Sequence, residues 1–190
     1  MREGEEEVIL MALAQRKIND EKPDFKTVME VWKKLATPGE PHKLLASRAG
    51  SWSVKSRHWM EPDKLPMEFA GSCERKMILG GRFLQDEFYG EMMGSPFTGI
   101  GIIGYDNHSK KYVSSWMDSM STGIYFFEGT ASRDRKTISL ESRFDDPIKG
   151  PGTWRLVTRI VDKNTEVTEM RMTYESGVEE KCETTYTRKH

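Results

Sequence analysis

The side chains able to do chemistry are few in this chain, and most of them fall on one phase of an alternating pattern. His58 shares a phase with Trp52, Val54, Ser56 and Met60, against Ser53, Lys55 and Arg57 on the other. Asp118 follows Trp116 in a second alternating run, and an imidazole with a carboxylate inside one cavity would form an acid/base pair. Arg75, Glu128 and Thr158 also read as inward, and a buried charge must reach water, a partner or a ligand. Arg75 has no obvious sequence-adjacent carboxylate partner, Glu74 lying on the opposite phase, so its guanidinium is expected to take the anionic end of an amphiphile through charge-assisted bonds.

Other chemistries find little support. No Gly-x-Ser-x-Gly occurs, and neither Cys73 nor Cys182 has a context that would activate a thiol. Both cysteines read as buried free thiols without a CxxC, and the four histidines, at 42, 58, 108 and 190, are scattered, so no metal or other cofactor is expected. Gly99, Gly101 and Gly104 lack phosphate-loop spacing and have no helix behind them; they are expected to let the wall curve. The twelve methionines read chiefly as core, with Met92, Met93, Met117 and Met120 as the alternative lining of an adaptable pocket.

Bulk properties narrow the partners. With 29 basic and 30 acidic side chains the chain has no net field to draw it to nucleic acid or anionic lipid. Its 190 residues suit one barrel domain, and a small apolar or amphiphilic molecule is the expected partner. The apolar run from Val8 to Ala14 is too short to span a bilayer and follows glutamates where a secretory signal needs cations. The expected location is the cytoplasm.

Two kinds of element must position these groups. Up to residue 41 the pattern is helical: a weak helix over residues 5–19, then one capped by Asp24 that carries Phe25, Val28, Met29, Trp32 and Leu35 on one face. That face is expected to be covered by a second copy of the chain, or by the barrel's mouth or wall. Thr37-Pro38-Gly39 and Pro41 stop the helix, and a short turn over residues 42–49 leads to Gly50. From there the period is two, and about ten short strands separated by turns run to the end, which predicts a mainly β, antiparallel up-and-down barrel over residues 42–190. Gly50, Trp52 and Arg188 read as its closure, an indole under a guanidinium plugging one end.

The run Ser95-Pro96-Phe97-Thr98-Gly99 through Gly104-Tyr105-Asp106-Asn107, Lys111-Tyr112-Val113-Ser114-Ser115-Trp116-Met117-Asp118-Ser119-Met120-Ser121-Thr122 and Phe127-Glu128-Gly129-Thr130 resembles the bacterial proteins grouped as domain-of-unknown-function family 1579. Gly50-Ser51-Trp52, Trp59-Met60-Glu61-Pro62 and Tyr186-Thr187-Arg188-Lys189 extend the resemblance over residues 42–189. It implies a calycin-type, lipocalin-like barrel and transfers no mechanism.

Three functions stay open. The leading one is a binding protein whose walls include Trp52, His58, Phe69, Arg75, Trp116 and Phe126. The second is an isomerase or hydrolase working through His58 and Asp118, and binding is favoured over catalysis. The third is a packed barrel acting as an interaction module through its helices.

Overall fold

The computed structural model describes residues 24–61 and 64–190, so the helix expected over 5–19 lies outside the described residues. The described residues fall into two compact units that divide between Thr37 and Pro38. The first holds helix α1 (Phe25–Ala36), whose Asp24 cap accepts the Thr27 backbone N–H at 2.9 Å. No α1 residue is buried, and Trp32 is 67% exposed.

In the second unit, the expected turn over 42–49 is instead helix α2 (Glu40–Ser47). Pro41 stands in its first turn, where a missing N–H costs nothing, and the His42 imidazole caps it by accepting the Gly39 N–H at 3.0 Å. Helix α2 places Leu45, fully buried, against Leu84, Tyr112, Phe127, Ile138 and Leu140, the main apolar core.

Ten antiparallel strands follow: β1 (Gly50–Trp59), β2 (Met67–Ile78), β3 (Phe83–Met92), β4 (Ser95–Asp106), β5 (Lys111–Asp118), β6 (Tyr125–Ala131), β7 (Thr137–Asp146), β8 (Gly150–Ile160), β9 (Thr165–Tyr174) and β10 (Glu179–Arg188). Each pairs with its neighbours in sequence and β1 pairs with β10, so the sheet closes on itself as an up-and-down barrel. The closing ladder sets Trp52 opposite Arg188 and His58 opposite Cys182. Gly50 has φ of +129°, and a Cβ there would stand 2.6 Å from the Arg188 guanidinium, so only glycine lets the strand and that side chain meet. Within β4 the glycines do more than bend the wall. A Cβ on Gly99 would run into the Trp116 indole, which lies flat over Gly99 and Gly101.

Two ladders stop short, both at the end away from α2. Pairing of β2 with β3 ends at Gly71 opposite Gly90, although β2 stays paired to β1 as far as Met67 and β3 to β4 as far as Met92. Pairing of β6 with β7 ends at Glu128 opposite Glu141.

Candidate functional site: the barrel lumen

At the α2 end the lumen is floored by a charged cluster. Glu166, its side chain 1% exposed, accepts from Arg48 Nε and Nη2, both at 2.9 Å, and from Arg75 Nη1 at 2.7 Å. Arg75 Nε lies 3.3 Å from Asp86 Oδ2. Its guanidinium is held between the Trp52 and Tyr186 rings at 4.9 and 4.4 Å, while Arg188 covers Trp52 at 4.3 Å. Arg188 also donates to the carbonyls of Ser47, Ala49 and Lys163, and Trp52 Nε1 to that of Arg48. The inward phase of Arg75 is therefore as expected, but its guanidinium does not await an anionic ligand. Glu166, 91 residues away in sequence, and Asp86 already neutralise it.

Charge and burial compete here. Burial opposes ionisation of Glu166, and Arg48 and Arg75 outweigh it, so its carboxyl stays below the usual range. For Asp86 burial wins over Arg75, and its pKa is raised. Burial likewise pushes the Cys73 thiol up to about 12, which leaves it an inert wall group.

Above this floor the wall turns mixed. Ser56 and Thr184 share a hydrogen bond of 2.8 Å and Thr158 and Thr168 one of 2.9 Å, beside Val54, Phe88, Trp116, Leu156 and Met170. Ser56, Phe88, Trp116, Thr158, Thr168, Met170 and Thr184 are inward yet only half-buried, and the Asp86 side chain keeps 23% of its surface. The interior is thus packed in part, around Trp52, Val54, Cys73, Leu84, Phe127 and Cys182, and accessible in part along these half-buried side chains.

Toward the far end stand His58, Phe69, Trp154, Phe144 and Tyr174, with Glu180 ion-paired to Lys149. Trp154 packs edge-on against Tyr125, Phe127 and Phe144, with centroids 5.0, 5.3 and 5.9 Å apart, and fills the gap where β6 leaves β7. Among the described residues four buried side-chain atoms lack a hydrogen-bond partner: His58 Nε2 and Trp154 Nε1 in this part of the barrel, and Arg75 Nε and Asp86 Oδ1 in the charged floor. Burial lowers the His58 pKa against the pull of Glu180, so a neutral imidazole is favoured.

Several expected positions need correction. Phe126 is 68% exposed on the outer face, and Phe127 takes the inward place. Glu128 likewise points outward, paired with Lys111 at 2.7 Å. Either register of β6 buries one phenylalanine, so alternation alone does not decide between them. Nor do His58 and Asp118 form an acid/base pair. The Asp118 carboxylate accepts from Trp116 Nε1 at 2.8 Å and the Met120 N–H at 2.9 Å, and the charged groups acting on His58 are Glu180 and Lys149. Of the four candidate methionines Met93 and Met120 are exposed while Met92 stays in the inward phase of β3, and Met67, Met170 and Met172 share the inward phase of their own strands. Glu166, Asp86 and Trp154 were not singled out by sequence; Trp154 alternates in phase with Thr158, which reads as inward, whereas the strands of Asp86 and Glu166 carry no residue whose phase the sequence marks.

Residues 37–188 match the model of a family described as "Protein of unknown function (DUF1579)". Among solved structures, the S-type phycobiliprotein lyase CPES from Guillardia theta superposes with a TM-score of 0.59 at 9% identity, covering 88% of this chain and 99% of that one. A redesigned β-barrel (TM-score 0.43, 13% identity, 77% and 96% covered) and a de novo designed fluorescence-activating β-barrel (0.42, 15%, 76% and 96%) are also similar. No curated protein matches the sequence. At such identities the likeness is one of fold.

Proposed function

The chain belongs to the DUF1579 family of unknown function, so its activity must be read from its own side chains, and from them we propose that the lumen binds the apolar body of a small amphiphilic molecule. The observation that carries this is a lumen of mixed aromatic, thioether and hydroxyl walls whose inward side chains keep part of their surface, beside the buried polar atoms His58 Nε2, Trp154 Nε1 and Asp86 Oδ1, which have no hydrogen-bond partner among the described residues. Each orphaned group costs about 1–3 kcal/mol, which a ligand oxygen or hydroxyl accepting from Trp154 or donating to Asp86 would recover. Aromatic and thioether walls supply the rest, at about 25 cal/mol per Å² of apolar surface buried. The balanced floor gives no free cation to a carboxylate, so the buried part of the ligand is uncharged.

Nile red, an uncharged dye whose emission reports apolar surroundings and whose carbonyl can accept from an indole, tests this. Saturable binding to the intact protein is expected, lost in Ser56→Phe, which fills the lumen, and weakened about fivefold in Trp154→Phe, which removes one donor. Lys55→Met on the outer phase should leave it unchanged. Absence of saturation in the wild type, or equal binding by Ser56→Phe, would sink the lumen reading. The exposed face of α1, bearing Phe25, Met29 and Trp32, suits a second copy of the chain as its cover.

A further inference from the structure

The two interrupted ladders differ in what fills them. Where β6 leaves β7, Trp154 and its three aromatic neighbours occupy the gap. Where β2 leaves β3, there is instead a cavity of about 620 Å³ lined by Met67, Glu68, Phe69, Ala70, Glu91, Met93 and Gly94. These are the residues that would have faced each other had the ladder run on past Gly71 and Gly90, so the cavity is the seam itself, held open.

Local chemistry accounts for the opening. At the last rung the strands approach closely: a Cβ on Gly71 would lie 2.5 Å from the Tyr89 carbonyl, and one on Gly90 would lie 3.0 Å from that of Ala70. Beyond it, β3 turns into β4 through Met93 and Gly94 at φ of 54° and 76°, a two-residue hairpin of the kind that twists strands strongly. On the other side β2 is preceded by Pro66, which has no N–H to offer a ladder.

We propose that this seam is the side door of the lumen, through which the apolar body of an amphiphile passes while its polar end stays outside between Glu68 and Glu91. Met67 and Phe69 lie in the inward phase and run from the seam to the wall that holds His58 and Cys73, a continuous apolar path into the barrel. The two carboxylates at the rim have no ion-pair partner among the described residues, and Arg57, the cross-strand neighbour of Glu68, is taken up by Glu183, as Lys64 and Lys76 are by Glu61 and Glu87. The seam therefore favours a cationic head and opposes an anionic one. This rests on the lumen reading above and adds the route and the head-group class.

The test is a reversible staple. Ala70 and Glu91 would form the next rung, so the double variant Ala70→Cys/Glu91→Cys is expected to close the seam on oxidation. Stopped-flow uptake of Nile red should slow by about tenfold or more in the oxidised form and recover with reductant. In parallel, dodecyltrimethylammonium should displace Nile red from the wild type at about three- to tenfold lower submicellar concentration than dodecyl sulfate, with the order reversed in Glu68→Lys/Glu91→Lys. Uptake at the same rate with the staple formed, or displacement indifferent to head-group charge, overturns the seam while leaving the lumen reading intact. A wild type that never takes up Nile red removes both.

Discussion

Glu166 accepts three hydrogen bonds from two guanidiniums, and that concentration of charge makes it the most sensitive single position in the barrel. Glu166→Gln keeps the shape but strands Arg48 and Arg75 without their shared anion, a loss of about 3–5 kcal/mol for a buried pair broken on one side. Because the folded protein holds the Glu166 pKa below its unfolded value, this contribution is complete above the ordinary carboxylate range and fades as pH falls through the folded value. Urea melts of the two proteins should therefore lie far apart at pH 7 and draw together toward pH 3; a constant gap would mean that Glu166 acts through packing alone. The inward phase of Arg75 was legible in the alternation of β2, because one side chain in two must face the lumen. Its partners were not, since Glu166 and Asp86 reach it through strand neighbours and the barrel floor, and alternation within a strand carries no information on what lies across it.

Among the elements, α1 and α2 have opposite fates that their sequences only partly distinguish. The spacing of Phe25, Met29 and Trp32 announces α1, whereas α2, eight residues with two prolines close by, reads as a turn until Leu45 is seen in the core. Truncation separates them. A chain beginning at Pro38 is expected to melt cooperatively within about 1 kcal/mol of the full protein, because the two units divide there. It should also sediment as a monomer where the full chain sediments as a dimer, with Trp32→Glu reproducing the change. A full chain that is already monomeric, or a Trp32→Glu variant that stays dimeric, discards the second copy as the cover of α1. Among the strands, β6 was the difficult one. Its Phe126-Phe127 pair satisfies either register, and what orients it is the Trp154 cluster, assembled with residues from two other strands, β7 and β8, and invisible to a local pattern.

At the scale of the whole molecule, no helix among the described residues is long and apolar enough to cross a membrane, and the dominant fact is a ring of ten strands in which every neighbour but one is adjacent in sequence. Nine of the ten ladders are hairpins that form locally. The tenth joins Trp52 to Arg188 across almost the whole barrel sequence, and such a contact waits for all the rest because its loop-closure entropy is returned last. Arg188→Met removes a cation from the Trp52 face and three carbonyl partners, and topology predicts that this rung forms only after the folding transition state. Its unfolding rate should therefore rise by about tenfold or more with a folding rate changed by less than about threefold, as stopped-flow chevrons would resolve; an equal slowing of folding would place the closure early instead. Until that rung forms, β1 and β10 are two raw sheet edges on one unfinished molecule, each able to pair with the edge of another. Those edges stay exposed for as long as the chain takes to cross its folding barrier, so the rate at which the nine local hairpins assemble sets how long a newly made chain remains open to its neighbours, and Arg188 then keeps the closed ring from reopening.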